Sequence, residues 1–212
     1  MAIAFDNSEK ATGSGDLTFS HVTAAGEDRY MVVGVISDRT ISSITYNGDS
    51  FTEIRTLQVA GGESLYLYGL VAPDVGTADV VVTFGAGASE RVAFSLTFTG
   101  VSQTTPIGAE VDEEVTSSIL DTDITLLYTN SWAVELEETT QPSGSFTQNS
   151  SQDEREAFSG TTDYSGAIAT KAFTTAGTEN LGYISNINTQ QAQMIIELVN
   201  ADLTRSNNLM FY

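Results

Sequence analysis

The chain has 212 residues, with 28 acidic side chains against 8 basic ones, a formal charge of −20, and no cysteine. That balance argues against a nucleic-acid partner, whose phosphates it would repel. The missing thiols exclude disulfides, thiolate catalysis and zinc-cysteine sites. No stretch approaches the roughly 18 apolar residues of a membrane helix.

Met1–Asn7 lacks the basic and apolar segments of a secretory signal, so synthesis in the cytoplasm without a signal peptide is expected. Ala2–Asn7 alternates as a first strand, and Gly13–Asp16 is a turn cluster. In Leu17–Val22 the side chains of Leu17, Phe19 and His21 share one face. Met31–Ile36, within Arg29–Ser37, is apolar on both faces and predicts a fully covered strand. Ile41–Tyr46 runs into Asn47-Gly48 before Phe51–Val59, a strong hairpin signal. Ser64–Val71 and Ala78–Phe84 follow, separated by turn residues. In Val92–Phe98 the large side chains Val92, Phe94, Leu96 and Phe98 take every second position, backed by a small, hydroxyl-rich face. This is the pattern of a central sandwich strand.

Past Val101 the composition turns more acidic. Strands are expected at Ile107–Val115, Ile119–Leu127 and Ser131–Glu138, the last with one apolar and one solvated acidic face. Gln141–Thr162 reads as a long exposed loop, and Ala167–Phe173, Leu181–Ser185 and Gln191–Val199 complete the set. The expected fold is all-β: an antiparallel two-sheet sandwich, jelly-roll-like, of about 12–14 strands. Residues 1–202 read as one domain, with two fused halves meeting near 101–108 as the alternative. Arg29–Val33 echoes Ser131–Glu135, and Ala93–Val101 echoes Met194–Asn200. Residues 203–212 lack acids and end in Leu209, Met210, Phe211 and Tyr212. With Arg205 these form either a last edge strand or an arm that docks on a neighbouring subunit.

Catalytic signals are sparse. His21 is the single histidine, in phase with Leu17 and Phe19, and reads as a core or rim residue with a satisfied hydrogen bond. Two-histidine metal sites are therefore excluded. Asp112, Glu113, Asp121 and Asp123 are candidate calcium donors, although their spacing does not match an EF-hand loop. No spacing singles out a carboxylate pair for glycoside hydrolysis. Neither an enzyme activity nor a cofactor is expected.

Several runs resemble a β-sandwich module of tailed-phage virion proteins and some bacterial surface proteins. They are Leu17–His21, Arg29–Val35, Ile44–Gly48 with Phe51-Thr52, Leu65–Pro73, Ala78–Phe84 and Phe98–Gly108. The similarity covers residues 2–108 and is only general beyond. It implies a non-enzymatic virion structural protein, a capsid decoration (cement) protein on the outer head surface. The implied partners are the major capsid protein or other virion subunits, and copies of itself at a symmetry axis, with no nucleic acid or membrane. The alternative is a receptor- or carbohydrate-binding module of a tail fibre or cell surface, with a glycan as ligand.

Overall fold

The computed structural model describes residues 1–60, 63–87, 89–148 and 151–202. The chain is an all-β antiparallel sandwich, as its alternating pattern predicts, but its layers number more than two. At the centre lies β9 (Arg91–Thr99), buried throughout from Val92 to Phe98. It pairs with β1 (Ala4–Gly13) and β3 (Tyr30–Ser37), and the sheet continues through β7 (Ser64–Val71) to β6 (Thr52–Gln58). One face of this sheet, carrying Met31, Val33 and Val35, packs on Leu17, Ile44, Val80 and Val82. Those belong to a second sheet ordered β2 (Leu17–Thr23), β8 (Gly76–Phe84), β4 (Ile41–Tyr46) and β5 (Asp49–Ser50). Asn47-Gly48 closes the β4–β5 hairpin with φ of 51° and 91°, the conformation that makes this dipeptide a turn signal.

The opposite face of the central sheet carries Val32, Phe94, Leu96 and Phe98 and meets the second half of the chain at Val134, Leu136, Ile168, Met194 and Ile196. Burying each such side chain contributes about 1.5–3 kcal/mol. Two glycines let the sheets approach. A Cβ at Gly166 would lie 2.2 Å from Ile36 Cδ1, and one at Gly34 would lie 3.1 Å from Ile168 Cδ1.

In the second half, β10 (Ile107–Leu126), β15 (Gly177–Leu198), β11 (Trp132–Thr139), β14 (Ser165–Ala172) and β13 (Asp153–Ser159) lie side by side in that order. The order repeats β1-β9-β3-β7-β6, and so does the register. Adding 101 to both members of the pair Arg55↔Leu67 gives Glu156↔Ile168, and the edge strands are bulged just before it, at Glu53/Arg55 and at Glu154/Glu156. Each half is thus a sandwich of the same plan, and the two are joined face to face.

Four local expectations change. Ile107–Val115 and Ile119–Leu127 are one strand, as are Leu181–Ser185 and Gln191–Val199. No glycine or proline interrupts Thr116-Ser117-Ser118, so the chain turns the corner through a ladder shift between Ser117 and Ile119 rather than through a loop. Its far half folds back as a ribbon with the start of β15, extended by β12 (Phe146–Gln148). Gln141–Thr162, expected as a loop, contributes β12 and β13. The acidic face of β11 is covered rather than solvated, with Glu135 and Glu137 at 1% and 0% exposure, because the ribbon lies over it.

Candidate functional site

The residues singled out by sequence fall in separate places. His21 is buried between the two sheets of the first sandwich, with Nδ1 2.7 Å from Ser95 Oγ and Nε2 3.1 Å from Thr97 Oγ1. Thr97 donates its own proton to Asp6 Oδ2 at 3.0 Å, so it accepts from Nε2–H, and Ser95 donates to Nδ1. Burial pushes the imidazole down to about 4, against the opposing charge of Asp6. It is therefore a neutral structural histidine.

The four acids considered for calcium are dispersed. Asp112 pairs with Arg55, Glu113 accepts from Thr122 Oγ1 at 2.7 Å, Asp123 accepts from Asn180 Nδ2 at 2.9 Å, and Asp121 is exposed on the ribbon. Among the described residues, no three His, Cys, Asp or Glu side chains converge as a metal site. Arg205, Leu209, Met210, Phe211 and Tyr212 lie outside the described residues.

The structure assembles one acidic cleft where the two sandwiches meet. Glu63 enters it ahead of β7, Glu138 from the end of β11, and Asp163 and Tyr164 from the segment before β14. Thr140 and Pro142 complete a hollow of about 420 Å3. It shares Thr162 and Asp163 with a neighbouring hollow of about 540 Å3 lined by Gly13, Ser89 and Glu90. Glu90 ties down the rim by accepting from the backbone and hydroxyl groups of both Thr161 and Thr162, over 2.9–3.3 Å. Tyr164 is fixed by donation to Ile36 O at 3.0 Å.

Glu63 N–H donates to Glu138 Oε1 at 3.3 Å, and Glu138 Oε2 has no partner among the described residues. Burial pushes Glu63 up to about 7, reinforced by the charges of Asp38, Asp163 and Glu90 and opposed by Arg39. Burial likewise pushes Glu138 up to about 8, opposed by the Glu63 N–H and reinforced by Glu63 and Glu114. Such a pair is partly protonated at neutral pH and can exchange protons with a group in the hollow. A signal for Glu138 was present in the sequence. It continues the phase of Val134 and Leu136, the apolar face of β11. Nothing local marks Glu63, which reaches the cleft only through the packing of the two sandwiches.

Elsewhere, Trp132 stacks edge-on with Phe98, ring centroids 5.9 Å apart, and lines a small hollow of about 220 Å3 with Ile3 and Phe173. Known protein families, curated proteins and solved structures offer no match to this chain.

Proposed function

We propose that this protein is a virion structural protein, a decoration protein bound to the outer surface of an icosahedral head. The observation that carries the reading is the fused double sandwich. Two units of one plan share a dry core and form a stack of β layers under a strongly acidic composition. A body of that kind cements by rigidity. It spans a joint between shell subunits and spreads load over many contacts repeated by symmetry. The N-terminal amine pairs with Asp202, and next to that amine the hollow lined by Ile3, Trp132 and Phe173 offers a mainly apolar patch suited to docking. The resemblance of residues 2–108 to virion sandwich modules supports the same reading.

The receptor- or carbohydrate-binding alternative rests on that hollow, where Trp132 is a half-buried aromatic of the kind that stacks on sugars. Imaging of virions carrying this gene, with and without the protein, tests both. Density on the head and heads less resistant to heat in its absence fit a cement. Binding to host cells or a glycan array, with nothing on the head, overturns it in favour of the alternative.

A further inference from the structure

The second sandwich carries a polar layer between β11 and the ribbon that covers it. Glu135, Glu137, Thr139, Tyr183, Gln191 and Gln193 are each at most 1% exposed. Among the described residues they present seven oxygens without a hydrogen-bond partner: one from each residue except Glu137, which contributes both. Five are carboxylate or amide acceptors, the hydroxyls of Thr139 and Tyr183 reach none of them, and the amide donors are already spent. Gln193 Nε2 donates to Leu181 O at 3.5 Å, Gln191 Nε2 donates to Ser117 O, and Gln152 Nε2 donates to the other oxygen of Glu135. Both glutamines therefore keep a buried carbonyl oxygen without a donor among the described residues.

The repeat shows that the fold does not require this chemistry. Counted from the first pairs, Tyr30↔Phe98 and Trp132↔Leu198, the pair Val35↔Ala93 of the first sandwich corresponds to Glu137↔Gln193 of the second. Val33 corresponds in the same way to Glu135. One copy fills this place with an apolar core, and the other fills it with oxygen. Buried carboxylates and carbonyls lacking donors are costly unless a positive group completes them.

We propose that this layer is a structural site for one hard divalent cation, calcium, held between sheet and ribbon in the second sandwich. Calcium takes about six to eight oxygen ligands from carboxylates, amide carbonyls and hydroxyls in flexible geometry. Two carboxylates balance its charge. With no sulfur or imidazole in the set, softer metals are disfavoured, and magnesium, which retains water in a regular octahedron, fits a dry, irregular layer less well. The charged groups around the layer are Asp121 on the ribbon, Glu154 on β13 and Lys171 on β14. Lys171 is drawn away towards Glu179, 3.8 Å distant, and the ring of Phe173.

The test uses the full chain stripped by a chelator, then given calcium, magnesium or neither, with thermal unfolding and calorimetric binding as readouts. The expected result is one calcium per chain, a higher Tm with calcium than with magnesium, and no such rise in Glu137→Gln. That variant removes a charged ligand and keeps its shape. Gln193→Ala, which restores the residue of the first sandwich, should weaken calcium binding at least about tenfold. Asp123→Asn, on the exposed ribbon, should leave binding unchanged. Failure of the wild-type chain to bind calcium or gain Tm overturns the proposal. So does calcium binding that survives both core substitutions or disappears in Asp123→Asn. Terbium luminescence sensitised by Tyr183, and lost in Tyr183→Phe, locates the ion in wild-type protein should the core variants not fold.

Discussion

Lys10 Nζ lies 3.4 Å from a carboxylate oxygen of Glu156, and the repeat places a charge-reversed copy of this contact at the opposite edge. There Arg55, which corresponds to Glu156, pairs with Asp112, which corresponds to Lys10. Edge strand β1 therefore lies beside β13 and β6 beside β10, as two like units packed about a two-fold require. These pairs are half-exposed and set alignment more than stability. Lys10→Ala should cost less than about 1 kcal/mol, whereas Phe94→Ala in the shared core should cost about 3–5 kcal/mol. Urea denaturation of the two variants checks the contrast.

Thr122 and Glu113 are nine residues apart on one strand, yet the Thr122 hydroxyl donates to Glu113 at 2.7 Å. A straight strand would separate them by roughly 30 Å, so this bond clasps the fold-back. Thr122→Val should lose about 1 kcal/mol. It should also raise amide exchange at Leu181 and Tyr183 on the ribbon more than at Phe94.

Glu197 is fully buried and satisfied, accepting backbone N–H bonds from Ala109, Leu127 and Tyr128, each at 3.0 Å. Glu197→Gln would turn an amide NH2 towards N–H donors. A loss of about 2–4 kcal/mol is expected, read as a lower urea midpoint with unchanged slope.

Glu63 and Glu138 titrate at about 7 and about 8 in the folded state, above the ordinary value of 4.5. Between these values the folded chain binds more protons than the unfolded one, so their contribution to stability falls as pH rises from about 5 to about 8. Glu135, pushed by burial to about 8, adds to the same slope. In chelator, Glu138→Gln should flatten the profile and be the more stable protein above about pH 8. A profile unchanged by the substitution would count against the paired acid cleft.

His21 gives the opposite sign. Its folded value of about 4 lies below the ordinary 6.5, so its contribution is complete above about 6.5 and is lost as pH falls towards 4. Its ring should remain neutral at about pH 5 by nitrogen NMR. His21→Leu, which removes the ring partners of Ser95 and Thr97 while Thr97 keeps its bond to Asp6, should cost about 1–3 kcal/mol.

The doubly apolar run of β3, the alternation of β9 and the Asn47-Gly48 turn were legible, because each depends on neighbours within a few residues. Phe51–Val59, expected across that turn, instead crosses to the central sheet as β6 and pairs with β7. His21 could be read as a core residue from its phase with Leu17. Glu135 and Glu137 could not be placed, since alternation assigns them to a face without saying what covers that face. The cover is a ribbon formed by a corner at Ser117 that carries no glycine or proline. The repeat was legible only in part: the echo of Arg29–Val33 in Ser131–Glu135 keeps the offset of Tyr30 and Trp132, whereas the edge-strand match is hidden because Arg55 has become Glu156. The Glu63–Glu138 cleft exists only where one half rests on the other.

The shared core has a consequence for each copy by itself. A sandwich cut free at the Val101↔Asn200 bridge would turn Val32, Leu96 and Phe98 towards water. An apolar sheet face of that kind finds relief by meeting its own twin, the isologous contact of a homodimer. One polypeptide thus contains what two identical chains would otherwise assemble by collision, and its pairing does not depend on concentration.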